Sequence, residues 1–164
     1  GGVTLNGAIQ VTTPDVETSN GVIHVIDGVL TPTSVVDIAI NNSGFSYLVQ
    51  AVVKAGLVET LSAEGPFTIF APSDAAFEQL FTDLGVSGIE DISAETLIPI
   101  LQYHVVAGNV RSTDLVEGDV ETLNGSFALS LAGPVTINGS TEVVATDVQG
   151  TNGVVHVIDE VLLP

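Results

Sequence analysis

Asn20-Gly-Val-Ile-His-Val-Ile-Asp-Gly-Val-Leu-Thr-Pro32 and Asn152-Gly-Val-Val-His-Val-Ile-Asp-Glu-Val-Leu-Leu-Pro164 stand 132 residues apart in one chain. Each opens on Asn-Gly, a pair that turns antiparallel hairpins, and runs on through Val and Ile as a strand. Working outward, Val3–Pro32 aligns without gaps on Val135–Pro164, and 17 of the 30 positions are identical. Self-similarity at a fixed offset signals a repeated structural unit. The reading is one complete unit over residues 33–164, preceded by residues 1–32 as the C-terminal strand segment of an earlier unit or as an intermolecular donor segment. Val22, His24 and Ile26 alternate with Ile23 and Val25, which predicts half-burial in a sheet. The helical body that would cover that sheet is expected upstream of residues 1–32, so within residues 1–164 the segment carrying Val22, His24, Val25, Ile26, Val29 and Leu30 is expected to stay exposed or to pair with another molecule's sheet.

The complete unit is helical first and strand-rich last. Ser34 with Asp37 reads as a capping box, and Asn41-Asn-Ser-Gly44 ends that helix. Leu48, Val49, Val52 and Val53 recur at helical spacing up to Gly56, and a short turn follows at Leu57–Leu61. Phe67–Phe70 reads as a buried strand, Ala71-Pro72 as a break, and Ser73 as the cap of a helix bearing Asp74, Phe77 and Leu80. Ser93 caps another helix, which Pro99 should kink or shorten. After Val105 the period becomes two, punctuated by Asn-Gly turns at 124, 138 and 152. Helices collected in the N-terminal half and strands in the other indicate an α+β domain.

Composition narrows the functions open to such a domain. The 164 residues are 45% hydrophobic and 13% charged, with 20 acidic residues against 2 basic ones, a formal charge of −18. That much apolar residue supports a core despite the charge. Lys54 and Arg111 alone cannot line a phosphate backbone, so nucleic-acid binding is excluded, and anionic membranes are disfavoured. No run approaches the length that spans a bilayer, so no membrane insertion is expected. The chain has no cysteine, which removes thiolate and disulfide chemistry. Strong acidity fits an extracellular or saline setting.

Thr68-Ile-Phe-Ala-Pro-Ser-Asp-Ala-Ala-Phe77, Tyr103-His-Val-Val-Ala-Gly108 and the run from Asn152 to Pro164 resemble, in order, the first conserved box, the Tyr-His motif and the second conserved box of the fasciclin domain family. The resemblance covers residues 33–164, and residues 1–32 repeat the second box. It implies a wedge-shaped β-sandwich carrying several helices, in secreted or surface-anchored adhesion and matrix proteins without general enzymatic activity. It also implies that Thr68, Phe70, Pro72, Ser73, Asp74, Phe77, Tyr103, His104, Asn152, Gly153, His156 and Asp159 are structural, with Tyr103, His104, Asp74 and His156 as a stabilising cluster. Ala107 departs from the proline that many members carry after Tyr-His. No Arg-Gly-Asp triplet is present to support integrin recognition.

Chemical readings of the remaining residues are weak. His24 and His156 occupy equivalent repeat positions and need not meet, and no metal-ligand spacing exists. Ser73 beside Asp74 is a helix cap, and no Gly-x-Ser-x-Gly elbow is present. Glu90-Asp91 and Glu117 with Asp119 lack the calcium-loop pattern. Asn41, Asn124 and Asn138 head glycosylation sequons, the last two doubling as turns. Phe45, Tyr47, Phe67, Phe70, Phe77, Phe81 and Phe127 read as core. The chain is thus expected to be a non-catalytic extracellular or cell-surface adhesion or matrix protein without metal or cofactor. It is expected to form a homo-oligomeric filament or tandem array through residues 1–32, with extracellular proteins or glycans as further partners. The alternative is a small-molecule or glycan-binding module of the cell surface.

Overall fold

A computed structural model of the protein describes residues 4–5, 9–29 and 33–164, which fall into two compact units, Gly1–Pro32 and Thr33–Pro164. Leu30 lies outside the described residues.

The first unit is an antiparallel three-stranded sheet: β1 (Thr4–Leu5), β2 (Ile9–Thr18) and β3 (Gly21–Ile26), in that order. The second unit begins with helices. Ser34 accepts from the Asp37 amide while the Asp37 carboxylate accepts from Ser34, the reciprocal box that starts α1 (Val35–Ile40). α2 (Ser46–Lys54) ends before Gly56, whose φ of 69° suits glycine, and α3 (Val58–Ser62) follows. β4 (Phe67–Pro72) leads into α4 (Asp74–Leu84), capped by Ser73 and closed by left-handed Gly85. α5 (Ala94–Tyr103) is not shortened at Pro99, which lies inside it. The missing proline N–H leaves only the carbonyl of exposed Glu95 without its helical donor.

Strands dominate the rest: β5 (Val105–Ala107), β6 (Gly118–Thr122), β7 (Gly125–Ser130), β8 (Thr136–Ile137), β9 (Thr141–Gly150) and β10 (Gly153–Ile158). With β4 they form a seven-stranded sheet in the order β5-β4-β10-β9-β8-β7-β6. It folds back on itself, the Leu123 amide beyond β6 donating to the Val105 carbonyl of β5 at 2.9 Å. One core lies between sheet and helices, where Ile69, Ala71 and Val155 meet Leu48, Val52, Phe77 and Leu101. The other lies between the sheet layers around Phe70, Phe127, Ile137 and Ile158. This is the α+β sandwich with helices in the N-terminal half.

One local reading changes. β4 continues through Ala71 and Pro72, because β10 pairs with it in parallel from Phe67 to Pro72, whereas β5 covers only Phe67–Ile69, so the N–H that proline lacks faces no ladder. β10 is buried on both faces: Val155 and Val157 meet the helices, and His156 and Ile158 meet the second layer. A central strand covered on both sides needs an unbroken apolar run, and Val-Val-His-Val-Ile supplies it.

Candidate functional site: a seated hairpin and its unseated copy

The motif residues converge on the β9–β10 hairpin and the seat that holds it. Thr68 Oγ1 in β4 donates to the Gly108 carbonyl and accepts from the Val110 amide, each at 2.8 Å, which fixes the loop after β5. That loop presents the Val110 carbonyl to His156 Nε2 at 2.8 Å. The Asp147 amide donates to His156 Nδ1 at 3.4 Å, so Nε2 carries the proton. Phe70 lies 5.3 Å from the His156 ring and meets Phe127 edge-on at 5.1 Å, and Tyr103 meets Phe127 edge-on at 6.1 Å. Tyr103 donates its hydroxyl hydrogen to Ser126.

His104 sits apart from that stack. The Leu162 amide donates to its Nε2 at 2.9 Å, so Nδ1–H donates to the Ile100 carbonyl at 2.8 Å, clamping the C-terminal segment onto α5. Burial pushes this imidazole down to about 4, with the Ile100 hydrogen bond opposing in part. Asp74 stands with neither histidine: it accepts from the Tyr47 amide at 2.9 Å and ties α4 to α2. The four residues grouped by resemblance therefore brace three different junctions.

Asn152 is the corner of the seat. Its Oδ1 accepts from the Val35 amide at 2.9 Å, and its Nδ2 donates to the carbonyls of Leu61 at 2.9 Å and Ala63 at 3.0 Å. Gly153 has a φ of 157°, and a Cβ there would stand 2.0 Å from the Phe67 carbonyl oxygen. Ser73 and Pro72 hold the far end, where the Ser73 amide donates to Ile158. Asp159 closes β10 onto β9 by accepting from the Glu142 amide at 2.7 Å. A contact the sequence reading missed is the Ser112 hydroxyl on Asp147, which with the Ser112 amide holds that carboxyl below the usual range. Its signal was present: Asp147 has a counterpart, Asp15, in the repeat.

The first unit reproduces this hairpin without the seat. β2 pairs with β3 at Val11–Ile26, Thr13–Val25, Val16–Ile23, Glu17–Val22 and Thr18–Gly21. β9 pairs with β10 at Val143–Ile158, Ala145–Val157, Val148–Val155, Gln149–Val154 and Gly150–Gly153, the same register shifted by 132. Asp15 and Asp147 both take left-handed φ at the bulge. The Asp15 amide donates to His24 Nδ1, and the Gln10 amide to Asp27, as Asp147 and Glu142 do in the second unit. Burial separates the copies. Val22 and Ile23 are 55% and 54% exposed, against 0% and 2% for Val154 and Val155. His24 and Val25 are exposed as well, Val29 is 82% exposed, and Ile26 is only half-buried.

Among the described residues no cluster of His, Cys, Asp or Glu could hold a metal ion, and no helix is long and apolar enough to cross a membrane. A fasciclin domain profile matches residues 1–32 and again 43–164. Protein sll1483 of Synechocystis sp. is 44% identical over 134 residues, covering 80% of this chain and 73% of the relative. Human periostin is 36% identical over 153 residues, covering 89% of this chain and 18% of periostin. A solved FAS1 domain pair from the insect cell adhesion molecule Fasciclin I superposes with a TM-score of 0.73 at 25% identity, over 97% of this chain and 61% of that one. The chain, matched in both of its units, belongs to the fasciclin domain family.

Proposed function

We infer that the protein is a non-catalytic adhesion or matrix component of the cell exterior, built as a tandem array in which residues 1–32 close the sandwich of a neighbouring fasciclin domain. The observation that carries this reading is the pairing of one hairpin geometry with two burial states. A strand apolar on both faces is stable in water only when both are covered.

The seat in residues 33–164 already holds β9–β10, so each copy of the chain has two hairpins and one seat. Exchange among identical copies always leaves one hairpin over, which favours a seat contributed by another fasciclin body joined ahead of residue 1. Two matches support the array: periostin aligns with more of this chain than residues 33–164 comprise and is much longer, and the Fasciclin I match takes in 97% of this chain and 61% of a domain pair. The adhesive role and the extracellular setting rest on that neighbour's being a cell adhesion molecule, together with the acidic composition.

The test places residues 33–132 of the same sequence directly before Gly1. In that two-domain chain the amides of Val22–Ile26 should become as protected from hydrogen exchange as those of Val154–Ile158, and beads coated with it should cluster. Amides at 22–26 that exchange as fast as before would refute the seating. Protected amides on beads that stay dispersed would refute the adhesive role.

A further inference from the structure

Beneath α1, α2 and α3 the helical layer leaves a cavity of about 90 Å³ that opens to the surface between Ile40 and Val53, 58% and 62% exposed. Val36, Ala39 and Val49 line its outer part, and Leu61, Ile69 and Val155 its inner part. We propose that this cavity binds the end of a single alkyl chain whose head is uncharged or cationic.

Three observations define the ligand. The first is polarity. His104 is the one polar side chain in the wall, and both its nitrogens are engaged, by Ile100 and Leu162. Among the described residues no buried side-chain N or O atom lacks a partner. Water needs two to four polar partners to stay in a cavity, so this one is dry and offers a ligand only apolar contact.

The second is size. At roughly 30 Å³ per water-sized group the space takes about three methylenes, and it is smaller than the ~150 Å³ cavity that accepts a benzene ring. A chain therefore enters end-on, and its head remains at the mouth. The third is charge. The elements around the opening carry Asp37 and Glu59, and Asp37 is held ionised by the Ser34 amide and hydroxyl. Lys54, next to Val53, turns its ammonium to the carbonyls of Ile89 and Glu90 and the Glu90 carboxylate. An anionic head would emerge among helices that carry carboxylates and whose one base, Lys54, is already engaged.

The cavity lies within residues 33–164, so the fate of residues 1–32 does not bear on its test. The intact protein, methyl-labelled at Val, is titrated with 1-octanol, octyltrimethylammonium and octanoate below their aggregation concentrations. The first two should shift the Val36, Val49 and Val155 methyls, with octanoate at least tenfold weaker. Affinity should rise about fourfold for each methylene that enters. Ala39→Leu, which fills the space, should abolish the shifts without lowering the melting temperature. Ile40→Lys changes an exposed rim residue and should reverse the preference toward octanoate. Absent shifts, shifts that survive in a folded Ala39→Leu variant, or equal binding of octanoate by wild type and Ile40→Lys would each overturn the proposal.

Discussion

Val22 and Val154 occupy the same place in the same hairpin, so one substitution made at both measures what the seat contributes. Val154 is fully buried, and truncation to Ala removes two carbons from a packed environment. At about 0.8 kcal/mol per methylene plus a cavity contribution, Val154→Ala should cost about 2 to 3 kcal/mol. Val22 is 55% exposed with no second layer over it, and Val22→Ala should stay within about 0.5 kcal/mol. Urea unfolding followed by circular dichroism, at constant m, reads both values. For a unit this size the first change lowers the melting midpoint by roughly 8 °C and the second by less than 2 °C. In the two-domain chain with a body ahead of Gly1, Val22→Ala should become as costly as Val154→Ala. Equal losses in the single chain would show that Val22 is already packed within one molecule. A silent Val22→Ala in the fusion would show that the added body does not seat the hairpin. Either result refutes the reasoning.

The glycines at the hairpin entrances make a second matched pair. Gly153→Ala drives a Cβ against the Phe67 carbonyl and should prevent β4–β10 pairing, whereas Gly21→Ala meets nothing within 4 Å and should leave the melting curve unchanged. A folded Gly153→Ala protein with wild-type stability would contradict the close approach. His104 supplies a pH test. Its folded pKa of about 4 lies below the ordinary 6.5, so the folded state favours the neutral ring. Above pH 6.5 both states are neutral and the contribution is complete. As pH falls from 6.5 to 4 the unfolded chain binds a proton that the folded one excludes, and about 3 kcal/mol is lost. The stability gap between wild type and His104→Gln, from urea melts across that window, should therefore shrink toward acid. A constant gap would mean that the ring is not held neutral.

The repeat made the hairpin legible before any coordinates, because identical side chains at a fixed offset must satisfy the same ladder, down to the bulge at Asp15 and Asp147. Helix starts were equally plain where a short-range bond sets them, as at Ser34, Ser73 and Ser93. What the sequence could not carry was long-range pairing. Nothing near Asn152 announces that its amide spans Val35, Leu61 and Ala63, residues some ninety to well over a hundred positions away. Pro72 read as a break because local propensity says so, and the parallel neighbour β10 overrules it. The run Val154–Ile158 was legible as a strand, but its place between two layers was not. Only a second layer around Phe127 and Ile137 shows that both faces are covered. The cavity under α1 was invisible for a related reason: a void is a property of how three helices meet a sheet.

Charge sets the conditions under which any neighbour can occupy the unseated hairpin. Asp15, Glu17 and Asp27 are its charged residues, while residues 33–164 hold 17 of the 20 acidic residues and both bases. A fasciclin body of similar composition therefore repels the hairpin at long range and holds it by apolar contact and ladder bonds at short range. Screening acts on the first and hardly on the second: the Debye length is about 10 Å at 0.1 M salt and about 3 Å at 1 M. Seating driven by ion pairs would weaken with salt, but seating opposed by like charge must strengthen. In the two-domain chain, protection of the Val22–Ile26 amides, normalised to that of Val154–Ile158, should rise with sodium chloride between these concentrations. The normalisation removes the part that salt contributes to every acidic fasciclin unit alike. A ratio that falls with salt would require cations on the partner surface that this sequence does not supply, and the apolar account of the seat would have to be abandoned.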